Sequence, residues 1–148
     1  MSYFFDDLEE GQRFTTPART VTETDLTTFS MISGDWNPLH ADAEYARATP
    51  YGQRVVHGVF GIALVTGFMD RAGWFTESAV AMLGLTDWRF HKPIFVGDTL
   101  HCEMEIGALR LTSSGSSGVV ERTFRLINQH GELVQEGGCP GLVRRRDG

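Results

Sequence analysis

The 148-residue sequence predicts a single α+β domain in which an antiparallel sheet wraps around one central, apolar helix. Residues 58–72, GVFGIALVTGFMDRA, are apolar on almost every face, as expected of a helix that is covered on all sides. From about residue 78 to 145 the pattern changes to runs in which apolar and polar side chains alternate, which is typical of half-buried strands. The length suits one domain with a substantial core.

The amino-terminal part predicts an extended segment, residues 13–21, followed by a helix that begins after Thr22. Thr22 can cap this helix, because Asp25 follows at the third helical position of a capping box. The helix should end just before Gly34 and deliver Asp35 at its carboxyl end. Its apolar stripe has helical spacing: Leu26, Phe29 and Ile32.

The next segment predicts a tight, irregular turn that carries two titratable side chains. Gly34 allows a sharp bend, and Pro38 prevents the upstream helix from continuing. Asn37 precedes the proline and is biased toward extended backbone. Asp35 and His40 can therefore converge, which is the minimum equipment for acid-base chemistry on water. In isolation such a turn has a second interpretation, in which Asp and Asn only cap backbone N–H groups.

The remaining elements follow from periodicity and from turn residues. A short helix is predicted to begin near residue 42 and to break at residues 49–52, TPYG. Residues 100–106 alternate as a half-buried strand should, and residues 120–126 repeat the rhythm less cleanly, with Arg122 in an apolar position. Residues 128–131 predict a hairpin into a further strand.

Composition excludes several classes of protein. The formal net charge of −6 argues against nucleic acid as the partner. Cys102 and Cys139 are the only cysteines, so a disulfide framework is not expected. The first ten residues, MSYFFDDLEE, do not resemble a signal peptide, and no apolar run reaches membrane-spanning length. We therefore expect a soluble cytoplasmic protein without nucleic-acid or membrane partners.

The segment from Phe29 to Ala46, FSMISGDWNPLHADAEYA, resembles the signature of the MaoC-like, (R)-specific enoyl-CoA hydratases. Two further stretches support the resemblance: Val56–His57–Gly58 at the start of an apolar helix, and Lys92–Asp98, KPIFVGD. The resemblance implies a hotdog fold whose sheet continues across a homodimer or a dimer of dimers. The signature positions that match are Phe29, Ile32, Ser33, Gly34, Asp35, Asn37, Pro38, Leu39, His40 and Ala46.

The resemblance also implies a reaction, the reversible hydration of trans-2-enoyl-CoA to (R)-3-hydroxyacyl-CoA. By resemblance, Asp35 is the base that activates water, and His40 holds the same water. The Gly58 N–H would face the thioester oxygen, although Gly58 could equally serve tight helix packing. Thr66 stands where the hydratases carry a site serine, but its hydroxyl could instead bond its own helix. Asn37 is counted with the substrate-contacting residues.

The sequence leaves several alternatives open. The substrate could be bound to a carrier protein instead of coenzyme A, or the protein could be a noncatalytic acyl-CoA-binding hotdog protein or a thioesterase. His57 is interpreted as structural, bonding a carbonyl where the chain turns into the helix. We expect no metal and no organic cofactor, since coenzyme A enters as part of the substrate. The acyl length and the residues that bind the phosphates are not predicted.

Overall fold

The computed structural model describes residues 1–147 and confirms the predicted α+β class. Long antiparallel strands curve around one side of a central helix, which is the arrangement of a hotdog fold. A short 3-10 helix spans Phe5–Asp7, and the α-helices are α1 (Glu23–Ser33), α2 (Pro38–Ala41), α3 (Ala43–Arg47) and α4 (Gly58–Ala72). The strands are β1 (Arg13–Thr15), β2 (Arg19–Thr20), β3 (Ala79–Met82), β4 (Thr86–Phe90), β5 (Thr99–Leu111), β6 (Ser117–Ile127), β7 (Leu133–Gly138) and β8 (Gly141–Arg144).

All strand pairs are antiparallel, and the sheet order is β1, β5, β6, β7, β4. β8 continues along β6 beyond the end of β7, and β3 pairs with β8 in the same way that β4 pairs with β7. β3 and β4 therefore form one interrupted edge of the sheet. Among the described strands, nothing pairs with the outer side of this edge.

The core lies between the inner face of the sheet and one face of α4. Every second residue of β5 and β6 points inward, as the alternation predicted. Buried side chains from the three elements include Leu100, Cys102, Met104, Ile106, Val120, Phe124, Leu126, Val65 and Phe68. Burial raises the pKa of the Cys102 thiol to about 12, and burial also raises the pKa of Cys139.

The start of α1 follows the predicted capping box. The Thr22 hydroxyl oxygen accepts a hydrogen bond from the Asp25 N–H, and the Asp25 carboxylate accepts one from the Thr22 N–H at 2.8 Å. Arg19 lies 2.6 Å from the same carboxylate. Of the apolar stripe, Leu26 is buried and Phe29 is half-buried, whereas Ile32 is 76% exposed. Ser30 is the buried residue there instead.

Two other expectations need correction. The turn before His40 is not irregular throughout, since Pro38 opens the one-turn helix α2 at its first position, where a missing N–H costs nothing. α4 is also not covered on all sides. The sheet wraps only one of its faces, so that Val59, Ala63 and Thr66 are exposed at the spacing of one helical stripe. Within residues 1–147, no helix combines the length and hydrophobicity needed to cross a membrane.

Candidate active site

The turn between α1 and α2 is held by hydrogen bonds between its own side chains and backbone. α1 ends at Gly34, whose φ of 75° lies in the left-handed region that glycine tolerates. The Asn37 N–H donates to Asp35 Oδ1 at 3.2 Å, and the Leu39 N–H donates to Asn37 Oδ1 at 3.0 Å. These are the capping bonds of the structural interpretation. They occupy only one carboxylate oxygen of Asp35, so the other remains available.

Asp35 Oδ2 faces two imidazole rings. His40 Nε2 lies 3.6 Å from this oxygen, and His57 Nε2 lies 4.0 Å from it. His40 Nδ1 donates to the Val55 carbonyl at 2.6 Å, and because a carbonyl can only accept, this bond fixes the proton on Nδ1. His40 Nε2 is therefore directed at Asp35 with its orientation set by the backbone.

His57 forms the buried wall behind this pair. Its ring stacks on His40 with 3.8 Å between the centroids and 25° between the planes. Its Nε2 lies 3.0 Å from the Asp35 carbonyl and 3.2 Å from Ser30 Oγ. Its Nδ1 is buried and has no hydrogen-bond partner among the described residues. His57, at the start of α4, thus bonds a carbonyl, as predicted. Because this carbonyl belongs to Asp35, the bond holds the backbone of Asp35 in place.

The three side chains differ in exposure in a way that suits chemistry on an incoming molecule. The Asp35 side chain is 51% exposed, while those of His40 and His57 are 12% and 3% exposed. A mobile substrate or water can reach the carboxylate, whereas the imidazoles are fixed by packing. Their ligand atoms lie within 4.8 Å of one another, close enough to be considered for a metal. His57 Nε2, however, already has hydrogen-bond partners in Asp35 and Ser30. The expectation of a metal-free site stays a prediction.

Gly58 begins α4 next to these residues, and its N–H has no partner within the helix. The ring of Phe90 lies against it, so that an added Cβ would stand 3.0 Å from a ring carbon. Gly58 also lines a cavity of about 330 Å³ together with Val55, Phe90 and Lys92. The close packing proposed as one reason for the glycine is therefore present, and among the described residues its N–H has no hydrogen-bond partner.

The amino end of α4 is anchored by one buried amide. Gln135 Nε2 donates to the Gly58 carbonyl at 2.9 Å, and Gln135 Oε1 accepts from Trp88 Nε1 at 3.1 Å. The Gln135 side chain passes over Gly61, where an added Cβ would come within 2.4 Å of it. Sequence reasoning missed Gln135. The available signal was a glutamine inside a predicted strand, directly after the apolar residues Leu133 and Val134.

The structure does not bring Thr66 to Asp35. Thr66 lies eight residues beyond Gly58, about 12 Å along the helix axis. Its hydroxyl donates to the Ala63 carbonyl at 2.7 Å, as in the alternative interpretation. It lines a second cavity, of about 300 Å³, together with Met69, Phe75 and Arg122. Arg122 is a second residue that sequence reasoning left unassigned, although it occupies an apolar position of its strand.

Fold and site together define a hotdog domain with a carboxylate and an imidazole at the amino end of its central helix. The family model described as "MaoC like domain" matches residues 7–128. The chain belongs to this family, which confirms the resemblance seen in the sequence.

Three relatives illustrate the match. Protein MaoC of Klebsiella aerogenes is 35% identical over 101 residues, which are 68% of this chain and 30% of that protein. Mesaconyl-CoA hydratase of Cereibacter sphaeroides is 32% identical over 145 residues, 97% of this chain and 42% of that protein. The (R)-specific enoyl-CoA hydratase of Aeromonas caviae is 30% identical over 113 residues, 76% of this chain and 79% of that protein. The chain thus spans less than half the length of the first two.

Solved structures agree on the fold. The unliganded R-hydratase PhaJ1 of Pseudomonas aeruginosa superposes with a TM-score of 0.81 at 30% identity, covering 97% of this chain and 86% of that one. A Mycobacterium tuberculosis protein with a double hotdog fold superposes with a TM-score of 0.82 at 24% identity, covering 97% of this chain and 44% of that one. The second similarity concerns the fold alone.

Proposed function

We propose that the protein hydrates trans-2-enoyl-CoA thioesters to (R)-3-hydroxyacyl-CoA, or catalyses the reverse dehydration. One observation carries the proposal: Asp35 Oδ2 is free of backbone bonds and lies 3.6 Å from a His40 Nε2 whose direction is fixed by the Val55 carbonyl. A water bound between these two atoms could donate one hydrogen bond to each, because His40 Nε2 is an acceptor when the proton is on Nδ1. The (R) outcome is supported by the names of relatives such as the Aeromonas caviae enzyme.

In the proposed reaction, the water oxygen bonds to C3 of the enoyl group while one of its protons passes to Asp35. A proton returns to C2 through the Asp35 and His40 pair. The elements of water are added and no charge remains. Dehydration follows the same steps in the opposite order. A positioned acid-base group of this kind typically contributes a factor of about 10² to 10⁴ in rate.

The charge that develops on the thioester oxygen needs a donor. The Gly58 N–H stands at the positive end of α4 and has no helical partner. One such backbone donor can contribute about 3 kcal/mol when it points at the developing charge. Because Gln135 holds the first turn of α4 through the Gly58 carbonyl, this donor keeps its place relative to Asp35.

We also propose that the working form is a homodimer joined along the β3 and β4 edge. The outer side of this edge is unpaired among the described residues, and it carries apolar side chains that are about half exposed: Val80, Met82, Leu83, Leu85 and Phe90. A second copy would cover these side chains. Sedimentation of the wild type and of Val80→Arg tests this proposal, and a fully active monomeric wild type would contradict it.

The test of the reaction follows the enoyl-thioester absorbance band with crotonyl-CoA and longer trans-2-enoyl-CoAs, while free thiol is measured in parallel. We expect the band to disappear without thiol release, and Asp35→Asn to slow this at least about 100-fold. Asp42→Asn is the matched control, because Asp42 is an exposed carboxylate whose capping of α3 an asparagine can replace.

Other results would point to the alternatives. Thiol release would indicate a thioesterase. An inactive wild type that still binds acyl-CoA would indicate a noncatalytic binding protein. Activity only on carrier-bound substrates would identify a carrier-protein dehydratase, and chiral analysis of the product tests the (R) assignment.

A further inference from the structure

Arg122 is a buried cation without a carboxylate partner. It lies on the inner face of β6 between Val120 and Phe124, and only 7% of the residue is exposed. Its Nε donates to the Cys139 carbonyl at 2.9 Å. The other polar contacts are to sulfur, at 3.6 Å from Met69 Sδ and 3.8 Å from Cys139 Sγ. Within residues 1–147, no carboxylate forms an ion pair with the guanidinium.

The surroundings keep this guanidinium in place without satisfying its N–H groups. Phe75 and Phe124 lie 5.6 and 5.4 Å from its central carbon, at cation–π distance. Burial lowers the pKa of Arg122, but an arginine remains charged at neutral pH. An arginine has five donors, and here one of them has an oxygen acceptor. Four donors of a desolvated cation therefore lack a strong partner, which is costly unless a ligand supplies one.

Arg122 lines the cavity of about 300 Å³ that Thr66 and Met69 also line. Gly141 lines the same cavity, and a Cβ there would stand 2.5 Å from an Arg122 terminal nitrogen, so the glycine leaves room for the guanidinium. The volume is at the small end of the range for small-molecule sites. Asp70 is the one carboxylate among the lining residues, and it is exposed at the rim.

An exposed stripe of α4 connects this cavity with the amino end of the helix. Val59, Ala63 and Thr66 follow one another at spacings of four and three residues, and all three are exposed. Their side chains are short, so an extended chain could lie along them. An acyl group with its C2–C3 bond at Asp35 would follow this stripe toward Arg122.

We propose that Arg122 binds a carboxylate at the far end of the acyl group, so that the substrates of this protein carry a second acid group. The inference rests on the proposed function for the position of the thioester. A carboxylate can accept two parallel hydrogen bonds from the guanidinium and neutralise its charge. A plain alkyl end would leave the buried donors unpaired, and sites built around polar groups discriminate strongly against such ligands.

Equilibrium binding of saturated acyl-CoAs tests the inference without requiring hydration. The compounds are compared in pairs of equal chain length, one ending in a carboxylate and the other in a methyl group, by isothermal titration calorimetry. We expect the carboxylate member of at least one pair to bind about 10- to 100-fold more tightly to the wild type. Equal affinities in every pair would overturn the inference, whatever the enzyme does to crotonyl-CoA.

Variants locate the effect. Arg122→Met should abolish the preference, whereas Arg125→Met should keep it, because Arg125 lies three residues along the same strand on the exposed face. A preference that survives Arg122→Met would also overturn the inference. Asp70→Asn, which removes the negative charge at the rim, should tighten carboxylate binding by about twofold, and it serves if Arg122→Met does not fold.

The two proposals fail in different ways. A carboxylate preference without hydration of any enoyl-CoA would contradict the proposed reaction and support the inference. Hydration of crotonyl-CoA without a carboxylate preference would support the proposed reaction and contradict the inference. Failure to bind any acyl-CoA would overturn both.

Discussion

The two ends of α4 hold polar groups of opposite charge in opposite surroundings. At the amino end, the Asp35 carboxylate is half exposed and lies beside two fixed imidazoles. Toward the carboxyl end, the Arg122 guanidinium is buried between aromatic rings. An open carboxylate can exchange protons and water with a substrate. A buried cation cannot do so easily, but it can discriminate strongly between ligands.

The comparison shows how one helix can separate reaction from recognition. Asp35 and His40 at the amino end come from one turn, whose Asp35 and Asn37 side chains accept hydrogen bonds from N–H groups two residues further on. Arg122 depends on residues far away in sequence, including Met69 and Cys139. If this division is correct, substitutions at the amino end should change the rate, and substitutions around Arg122 should change the choice of ligand.

The largest effect is expected for His40→Ala. Its imidazole is the fixed partner of Asp35, so we expect kcat to fall by about 10² to 10⁴-fold in the enoyl-CoA assay. The loss of folding stability should be smaller, since the ring packs mainly on His57. His130→Ala, an exposed histidine in the β6–β7 hairpin, is the control. A rate within threefold of wild type would remove His40 from the mechanism.

The anchoring of the amino end is tested by Gly61→Ala. The added Cβ would stand 2.4 Å from the Gln135 amide, which is held by Trp88 and Gly58 and cannot move freely. We expect the free energy of unfolding to fall by about 1–3 kcal/mol in urea denaturation. Gly67→Ala is the matched control on the exposed face of α4, with no atom within 4 Å of the new Cβ. It should increase stability by up to about 1 kcal/mol.

Near the carboxyl end of α4, a substitution of Arg122 should affect folding stability differently from Gly61→Ala. If Arg122 serves a ligand more than the fold, Arg122→Met should leave the free energy of unfolding unchanged or raise it by about 1 kcal/mol. The reason is that an apolar side chain of similar length avoids the cost of burying a charge. Thermal and urea denaturation measure the change. A loss above about 2 kcal/mol would show that the Cys139 and aromatic contacts make Arg122 a structural residue.

The smallest effect concerns the start of α1, the helix that leads to Asp35. Burial alone would raise the pKa of Asp25, but hydrogen bonds from the Thr22 N–H and Arg19 lower it below 3.8. Asp25 therefore binds fewer protons in the folded state than in the unfolded state near this pKa. Its contribution to folding stability is present above about pH 4 and is lost as the pH falls through the lowered pKa. Asp25→Asn should cost about 1 kcal/mol at neutral pH. The difference from wild type should shrink in urea titrations below pH 4.

Sequence reasoning succeeded where structure is determined locally. Gly34 and Pro38 set the ends of α1 and α2, and α4 begins at Gly58 and stops before Gly73, whose φ is 72°. These residues act within a few positions of themselves, so the Asp35 and His40 pair could be expected from the turn alone. The helical turn at Pro38 was missed because a proline both ends one helix and can open another.

The sequence did not reveal what depends on distant strands. The exposure of one α4 face follows from how far the sheet curves around it, and no single segment encodes that distance. The contacts of Gln135 with Gly58 and of Arg122 with Cys139 join elements separated in the chain. In β6 and β7 the sequence showed only a polar residue, Arg122 or Gln135, at a position expected to be apolar. The partners of these two residues could be identified only in the folded structure.

The buried cysteines have a practical consequence for experiments on this protein. With a thiol pKa of about 12 and no exposed surface, Cys102 cannot react with alkylating reagents while β5 is packed against β6. Its labelling rate therefore reports the rate or the equilibrium of opening of the sheet. Comparing labelling in the presence and absence of acyl-CoA would measure how strongly a ligand holds the sheet closed, without any attached probe.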